Sequence, residues 1–201
     1  MNQKIDKLVK QFAKLPRVGG RAAQRMVLAL LQDKTGKAVA LAAALQDTAE
    51  TVHPCNVCGC LTEFDACEFC RDMSRANGQI CLVRDLGDVW TLEKSGVFRG
   101  RYHIVGGLLS AAAGTVPEDL NITNLPCRIK DENITEIIFA LPNTVEGKTT
   151  QHFIMNTLSG IVARSSGFVF TELASGVPLG GDLDYIDDGT LSIAFGGRKQ
   201  I

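Results

Sequence analysis

Hydrophobic residues change their spacing several times along the chain, and each change predicts a different kind of element. Near the N-terminus Ile5, Leu8, Val9 and Phe12 recur at helical intervals, with Lys4, Lys7, Lys10 and Lys14 on the remaining faces. Pro16 predicts the end of that helix, because its ring removes a backbone donor and clashes with the preceding turn. A second helix is predicted from about Gly20 to Leu31, with Ala22, Ala23, Met26, Val27 and Leu30 as its apolar stripe. An alanine-rich third spans Lys37–Thr51, and three short helices joined tightly predict a compact N-terminal unit. Residues 54–72 keep neither helical nor strand period, and cysteines cluster there. Farther on, the apolar runs Ile80–Val83 and Tyr102–Val105 are separated by a helical stretch, Asp88–Lys94. Ile134–Leu141, Gly147–Ile161 and Gly167–Leu173 then read as strand, helix, strand. Short unbroken apolar strands alternating with helices predict a mostly parallel sheet covered on both faces. The last stretch, Ala174–Ile201, carries glycine pairs at 180–181 and 196–197 and the acidic residues Asp182, Asp184, Asp187 and Asp188.

Composition narrows the class. With 45% of 201 residues hydrophobic, the chain can bury a core and is not a disordered polymer. No apolar run approaches the ~20 residues of a membrane helix. Residues 1–13 are amphipathic and lysine-rich rather than a continuous apolar run, so a secretory signal is not expected. A soluble cytoplasmic protein without a membrane partner is the expectation. The formal net charge of −1 would argue against nucleic acid, but its distribution argues the other way. Met1–Lys37 holds nine basic and two acidic residues, +7, whereas Ala38–Ile201 holds twelve and twenty, −8. A basic binding module attached to an acidic body is the pattern this predicts.

Two CxxC turns, Cys55/Cys58 and Cys67/Cys70, are separated by eight residues. Each turn can converge two thiolates on one ion, and together they supply the four sulfurs that tetrahedral Zn²⁺ prefers. Gly59 after the first pair lets the backbone bend around the metal. Disulfides are the competing reading, disfavoured in a chain without an export signal. Cys60, Cys81 and Cys127 are expected as packing or surface residues, since four thiolates close the site, and His53 beside it is a weaker substitute ligand. A closed shell makes the zinc structural, contributing on the order of 10 kcal/mol of folding free energy.

Between the first two helices lies Leu15–Arg21, with Pro16 and the pair Gly19–Gly20. A glycine turn feeding a helix leaves N–H groups free at the helix start, where they and the helix dipole suit a phosphate. Arg21 and Arg25 stand one turn apart on the same face and can pair with neighbouring phosphates. Nothing there resembles a base-reading element, so binding is expected to be sequence-independent and salt-sensitive.

Leu15–Arg25 is similar to the helix-hairpin-helix DNA-binding motif. The order of hairpin, four-cysteine element and an α/β unit containing Val145-Glu146-Gly147 resembles the RecR family of recombination mediators. The run from Asp88 through Trp90 and Arg101 to Gly107 resembles that family's signature, and the Gly180–Tyr185 ending fits it too. The resemblance covers essentially the whole chain. It implies an α+β multidomain protein: a helix-hairpin-helix unit over 1–53, a four-cysteine zinc finger over 54–72, a Toprim domain over 78–173 and a C-terminal oligomerisation segment, Walker-B-like, over 174–201. It further implies a DNA-repair mediator, bacterial and nucleoid-associated, that works with RecO and RecF and helps RecA displace single-stranded-DNA-binding protein. Homodimers or homotetramers closing a ring around single- or double-stranded DNA are implied as well. Arg21 and Arg25 take the family's DNA-contacting places, with Arg17 and Lys10 as further basic candidates, and Cys55, Cys58, Cys67 and Cys70 take its zinc places.

Departures from the pattern matter too. Arg17 stands where the hairpin usually has its first glycine; a left-handed backbone there would cost a non-glycine residue roughly 1–2 kcal/mol. Ser175 stands where many relatives are expected to carry arginine. Catalytic Toprim domains hold Mg²⁺ with a glutamate and an Asp-x-Asp, hard oxygen ligands suited to phosphoryl chemistry. At the corresponding places this chain has Arg84, Pro142 and Thr144, and only Glu146 survives; Asp85 is adjacent but is expected on the opposite face. No catalytic residue is therefore expected, the alternative being a Mg-dependent nuclease or primase-like Toprim enzyme. Gly147-Lys148-Thr149 mimics the end of a phosphate-binding loop, but Pro142 replaces the glycine that such a loop needs five places earlier. A protein-interaction adaptor whose basic helices merely solvate is the third reading.

Overall fold

The computed structural model describes residues 2–163, 167–174, 176–177, 180 and 182–197. Ser175 and Gly181, singled out above, lie outside the described residues. The chain divides into two compact units, Met1–Val52 and His53–Ile201.

In the first unit, helix α1 (Gln3–Phe12) starts at Asn2, whose side chain accepts from Lys4 N. Helix α2 (Gly20–Gln32) packs on α1 and buries Ala23 and Val27. The link between them closes when Val18 N donates to Leu15 O at 3.1 Å, around central residues Pro16 and Arg17. Arg17 has φ +63°, so Leu15–Val18 has the pattern of a type II turn, proline first and a left-handed residue second. A π-helical turn, Lys34–Ala38, leads to α3 (Val39–Thr51). Helix α3 belongs to the same compact unit, as expected, but buries no residue, and Val39 and Leu45 are about 60% exposed. Its apolar residues run continuously from Ala38 to Leu45, so they surround the helix instead of forming one stripe to press on α2.

The second unit opens with a two-residue antiparallel ladder, β1 (His53–Pro54) with β2 (Leu61–Thr62), followed by the single-turn helix α4 (Glu68–Arg71). The main sheet holds β3 (Gln79–Val83), β4 (Arg101–Ile104), β5 (Glu136–Ala140) and β6 (Val169–Glu172), all parallel, in the order β4-β3-β5-β6. Helices α5 (Leu86–Ser95), α6 (Leu125–Asp131) and α7 (Val145–Val162) make the crossovers. Strand β3 shows why its sequence is unbroken hydrophobe. Ile80 and Leu82 enter one core with Leu125, Ile129, Ile154 and Leu158, while Cys81 and Val83 enter a second with Val89, Tyr102 and the cysteine cluster. Both faces of the sheet are thus covered, one by α6 and α7, the other by α5 and the cysteine element.

The C-terminal stretch folds locally, with a 3₁₀ turn at Leu183–Tyr185 and helix α8 (Asp188–Gly196), capped by Asp187 accepting from Thr190 N. Asp182 and Asp184 fall at the 3₁₀ turn, and Asp187 and Asp188 at the start of α8. Among the described residues no helix is long and apolar enough to cross a membrane.

Candidate metal centre and nucleic-acid interface

The ligand atoms of Cys55, Cys58, Cys67 and Cys70 all lie within 4.8 Å of one another, the first three buried and the fourth half-buried. A tetrahedral zinc with Zn–S near ~2.3 Å requires sulfurs about 3.8 Å apart, so these four can hold a metal ion. The local backbone is already shaped for thiolates: Val57 N and Cys67 N each point at Cys55 Sγ at 3.4 Å, and Cys60 N points at Cys58 Sγ at 3.5 Å. Cys58 and Cys67 sulfurs stand 3.4 Å apart and every cysteine is free, which disposes of the disulfide reading among these residues. Hydrogen bonds from Cys58, Cys60 and Cys70 hold the Cys67 thiol far below its ordinary value, while Cys58 and Cys70 are pushed up in return. A dication between the four sulfurs would take the place of the protons in these sulfur–sulfur contacts. Cys60 and Cys81 are buried outside the quartet, Cys127 is exposed, and His53 directs Nδ1 at Pro54 O, 3.2 Å away.

The cysteine element is fastened to the sheet by contacts that periodicity could not foretell. Ile104 N, on the outer edge of β4, donates to Cys58 O at 2.7 Å. Asn124 Nδ2 donates to Asn56 O and Val57 O. Gly59 has φ +79°, and a Cβ there would meet Asn121 Nδ2 at 2.5 Å, so the glycine both bends the knuckle and admits its neighbour. Arg75 grips Glu93 through two hydrogen bonds, 2.9 and 2.6 Å, with its guanidinium 5.1 Å from the Phe69 ring centre. Although burial opposes it, Arg75 and the Tyr102 hydroxyl hold Glu93 below the usual carboxylate range.

In the hairpin, Gly19 precedes α2 with no side-chain cap, no acidic residue occupies the first turn, and a Cβ on Gly19 or Gly20 would meet nothing within 4 Å. Helices α1, α5, α7 and α8 carry side-chain caps; α2 presents open N–H groups. Arg17, Arg21 and Arg25 are exposed around that start. Lys10 lies elsewhere, along a cleft between α1 and α2 lined by Ile5, Asp6, Val9, Gln24 and Leu28, with Asp6 one turn before it.

Strands β3 and β5 end level, Val83 against Ala140, and their chains leave toward opposite sides of the sheet. Such a crevice is where parallel α/β sheets bind ligands. Here it holds Arg84, whose guanidinium bonds Asp85 at 2.9 Å and approaches Asp88 at 3.9 Å. Asp85 and Asp88 are themselves engaged in capping α5. On the other side Thr144 Oγ1 accepts from Gly147 N, and a Cβ on Gly147 would stand 1.9 Å from the Pro142 carbonyl oxygen. A fixed guanidinium, a proline and a capping threonine do not fit a magnesium site. Gly147 serves close packing of the helix start, and Lys148 is paired with Glu172, not left to a phosphate.

One polar group lies wholly inside the fold and went unread in the sequence, where Tyr102–Val105 counts as an apolar run. His103 is fully buried, accepts from Arg128 at Nδ1 and donates from Nε2 to the Asn121 carbonyl at 2.5 Å. Burial, reinforced by Arg128, pushes its pKa down to about 4, so it stays neutral.

Family models match three stretches: a Toprim domain over residues 78–165, a RecR helix-hairpin-helix over 5–49 and a RecR C-terminal element over 176–199. Among curated relatives, the "Recombination protein RecR" of Ruegeria sp. is 46% identical over 200 residues, 100% of this chain and 98% of that protein. Those of Paracoccus denitrificans and Cereibacter sphaeroides are 46% and 45% identical, each over 98% of this chain and 96% of theirs. A hairpin, a four-cysteine cluster and a parallel Toprim sheet occur here in one chain, with that identity along its length: the chain belongs to the RecR family.

Proposed function

We propose that this chain is a recombination-repair mediator that clamps DNA without sequence preference, as an oligomer, and catalyses no reaction of its own. In this reading residues 1–53 hold the phosphate backbone of single- or double-stranded DNA through Arg17, Arg21, Arg25 and Lys10. Residues 54–72 are a zinc finger in which Cys55, Cys58, Cys67 and Cys70 bind one structural Zn²⁺. Residues 78–173 are a Toprim scaffold for docking RecO and RecF, and 174–201 join subunits. The assembly then helps load RecA onto DNA covered by single-stranded-DNA-binding protein in the bacterial cytoplasm, at the nucleoid.

The observation that carries this reading is the open, uncapped start of α2 ringed by exposed arginines. Outward apolar residues support the oligomer: Leu45 at 62%, Leu183 at 63% and Tyr185 at 90% exposure. Arg84 in the crevice supports the absence of catalysis.

The test is DNA retention against salt, with native mass measured on the same sample. A log–log slope of about 0.9 per duplex phosphate neutralised is expected. Arg21→Glu with Arg25→Glu should weaken retention at least about tenfold at low salt, amplified where several hairpins share one DNA. Unchanged retention would transfer the chain to the adaptor reading. Mg²⁺-dependent cleavage or synthesis would transfer it to the enzymes.

A further inference from the structure

At the N-terminal edge of the sheet, Arg101 opens β4 with its side chain only 10% exposed. Its Nη1 donates to Glu132 at 2.7 Å. Its Nη2 reaches the Met73 sulfur at 3.8 Å, and its buried Nε has no partner among the described residues. A thioether is a weak acceptor. The Nε/Nη2 side is the edge through which a guanidinium takes a carboxylate with two parallel hydrogen bonds. We infer that this edge of Arg101 is a binding site for a carboxylate, covered by Met73.

Three further observations agree. Arg128, 3% exposed, also bonds Glu132, so two buried guanidinium groups share one carboxylate beside a neutral His103. Two guanidinium groups on one carboxylate leave this pair short of negative charge, which favours an anion at Arg101 even with Asp72 and Asp131 nearby. A pocket of about 500 Å³ adjoins the pair, lined among others by Met73, Asn77, Arg101, Asp131, Asn133 and Thr135. Met73 is 75% exposed, so its side chain is free to turn away, and the Asn133 side-chain amide at the rim has no partner among the described residues. Asp131 on the same rim repels a second negative charge, which selects a carboxylate monoanion over a phosphate dianion. The acid can be a free small molecule or the end of a peptide; the chemistry at Arg101 is the same.

The experiment follows arginine Nε–H resonances of the ¹⁵N-labelled, zinc-loaded full chain at constant ionic strength. Acetate and N-acetyl-diglycine replace chloride in separate titrations, with inorganic phosphate at pH 8 as comparison. One arginine resonance should shift and saturate with a carboxylate, and the tighter of the two carboxylates identifies the source. Arg101→Lys should remove that resonance and weaken binding about tenfold, the loss of one charge-assisted hydrogen bond. Met73→Ala and Asp131→Asn, both at the rim, should tighten binding, and they decide the matter should Arg101→Lys fail to fold. No saturating shift in the parent chain or in either rim variant would overturn the site. So would phosphate binding more tightly than both carboxylates.

Discussion

Two helix starts in this chain carry glycine followed by a basic residue, and they are built for opposite purposes. At α2, Gly19 and Gly20 stand in open space and no side chain caps the helix. At α7, Thr144 caps the helix, Gly147 lets the Pro142 carbonyl press against it, and Lys148 is tied to Glu172. The same residue type keeps one start accessible and lets the other be sealed. The contrast extends to the units that carry them: damage to the α/β unit should show as lost stability, and damage to the hairpin as lost binding.

The largest expected effect is on the cysteine element. Chelation, or Cys58→Ala, should remove on the order of 10 kcal/mol and leave the α/β unit unable to fold, read by zinc content together with denaturant unfolding. A metal-free chain with undiminished stability would break the inward half of the comparison. Gly147→Ala comes next, at about 3 kcal/mol, because backbone and not a flexible side chain occupies the space; its counterpart Gly20→Ala should stay within about 0.5 kcal/mol. Equal losses at the two glycines would erase the distinction.

Acid should act on the same unit. The folded pKa of His103, about 4, lies below the unfolded 6.5. Between those values the unfolded chain binds a proton that the folded chain refuses, so stability is fully present above about pH 6.5 and falls as pH drops toward 4. The loss is at most about 3 kcal/mol, visible in urea midpoints between pH 7.5 and 4.5, and His103→Gln should flatten the curve. A smaller effect than that of His103 belongs to the hairpin. Arg17→Gly should stabilise it by about 1 kcal/mol, since φ +63° suits glycine, while weakening DNA retention slightly through one lost charge. A loss of thermal stability in that variant would show that the arginine is held there by contacts beyond its own turn.

Much of this was legible from residue spacing. Helix α2 begins at the predicted Gly20, and strand β3 differs from its predicted Ile80–Val83 by one residue. Periodicity reads such elements because burial imposes it. Helix α6 escaped because Leu125–Asp131 is seven residues long with a proline and three charges, too short to display a stripe. Helix α8 escaped because its glycines, Gly189 and Gly196, stand where helix formers are expected. The four cysteines came together as their spacing predicts, yet the clamps that seat them, Asn121, Asn124 and Arg75, are lone polar residues in no repeating pattern. The left-handed Arg17 was foreseeable as a question and became an answer only once its dihedral was in hand.

The bond from Ile104 N to Cys58 O has a consequence beyond folding energy. Strand β4 is an outer strand of the sheet, and the cysteine knuckle is what shields that rim. Stripped of it, the strand would offer unpaired backbone groups to any other extended chain, the circumstance in which sheets join edge to edge into aggregates. Where zinc fills the knuckle as proposed, its loss from a partly folded copy that still keeps the sheet would expose that edge and seed clumping, so a metal there would guard solubility as well as shape.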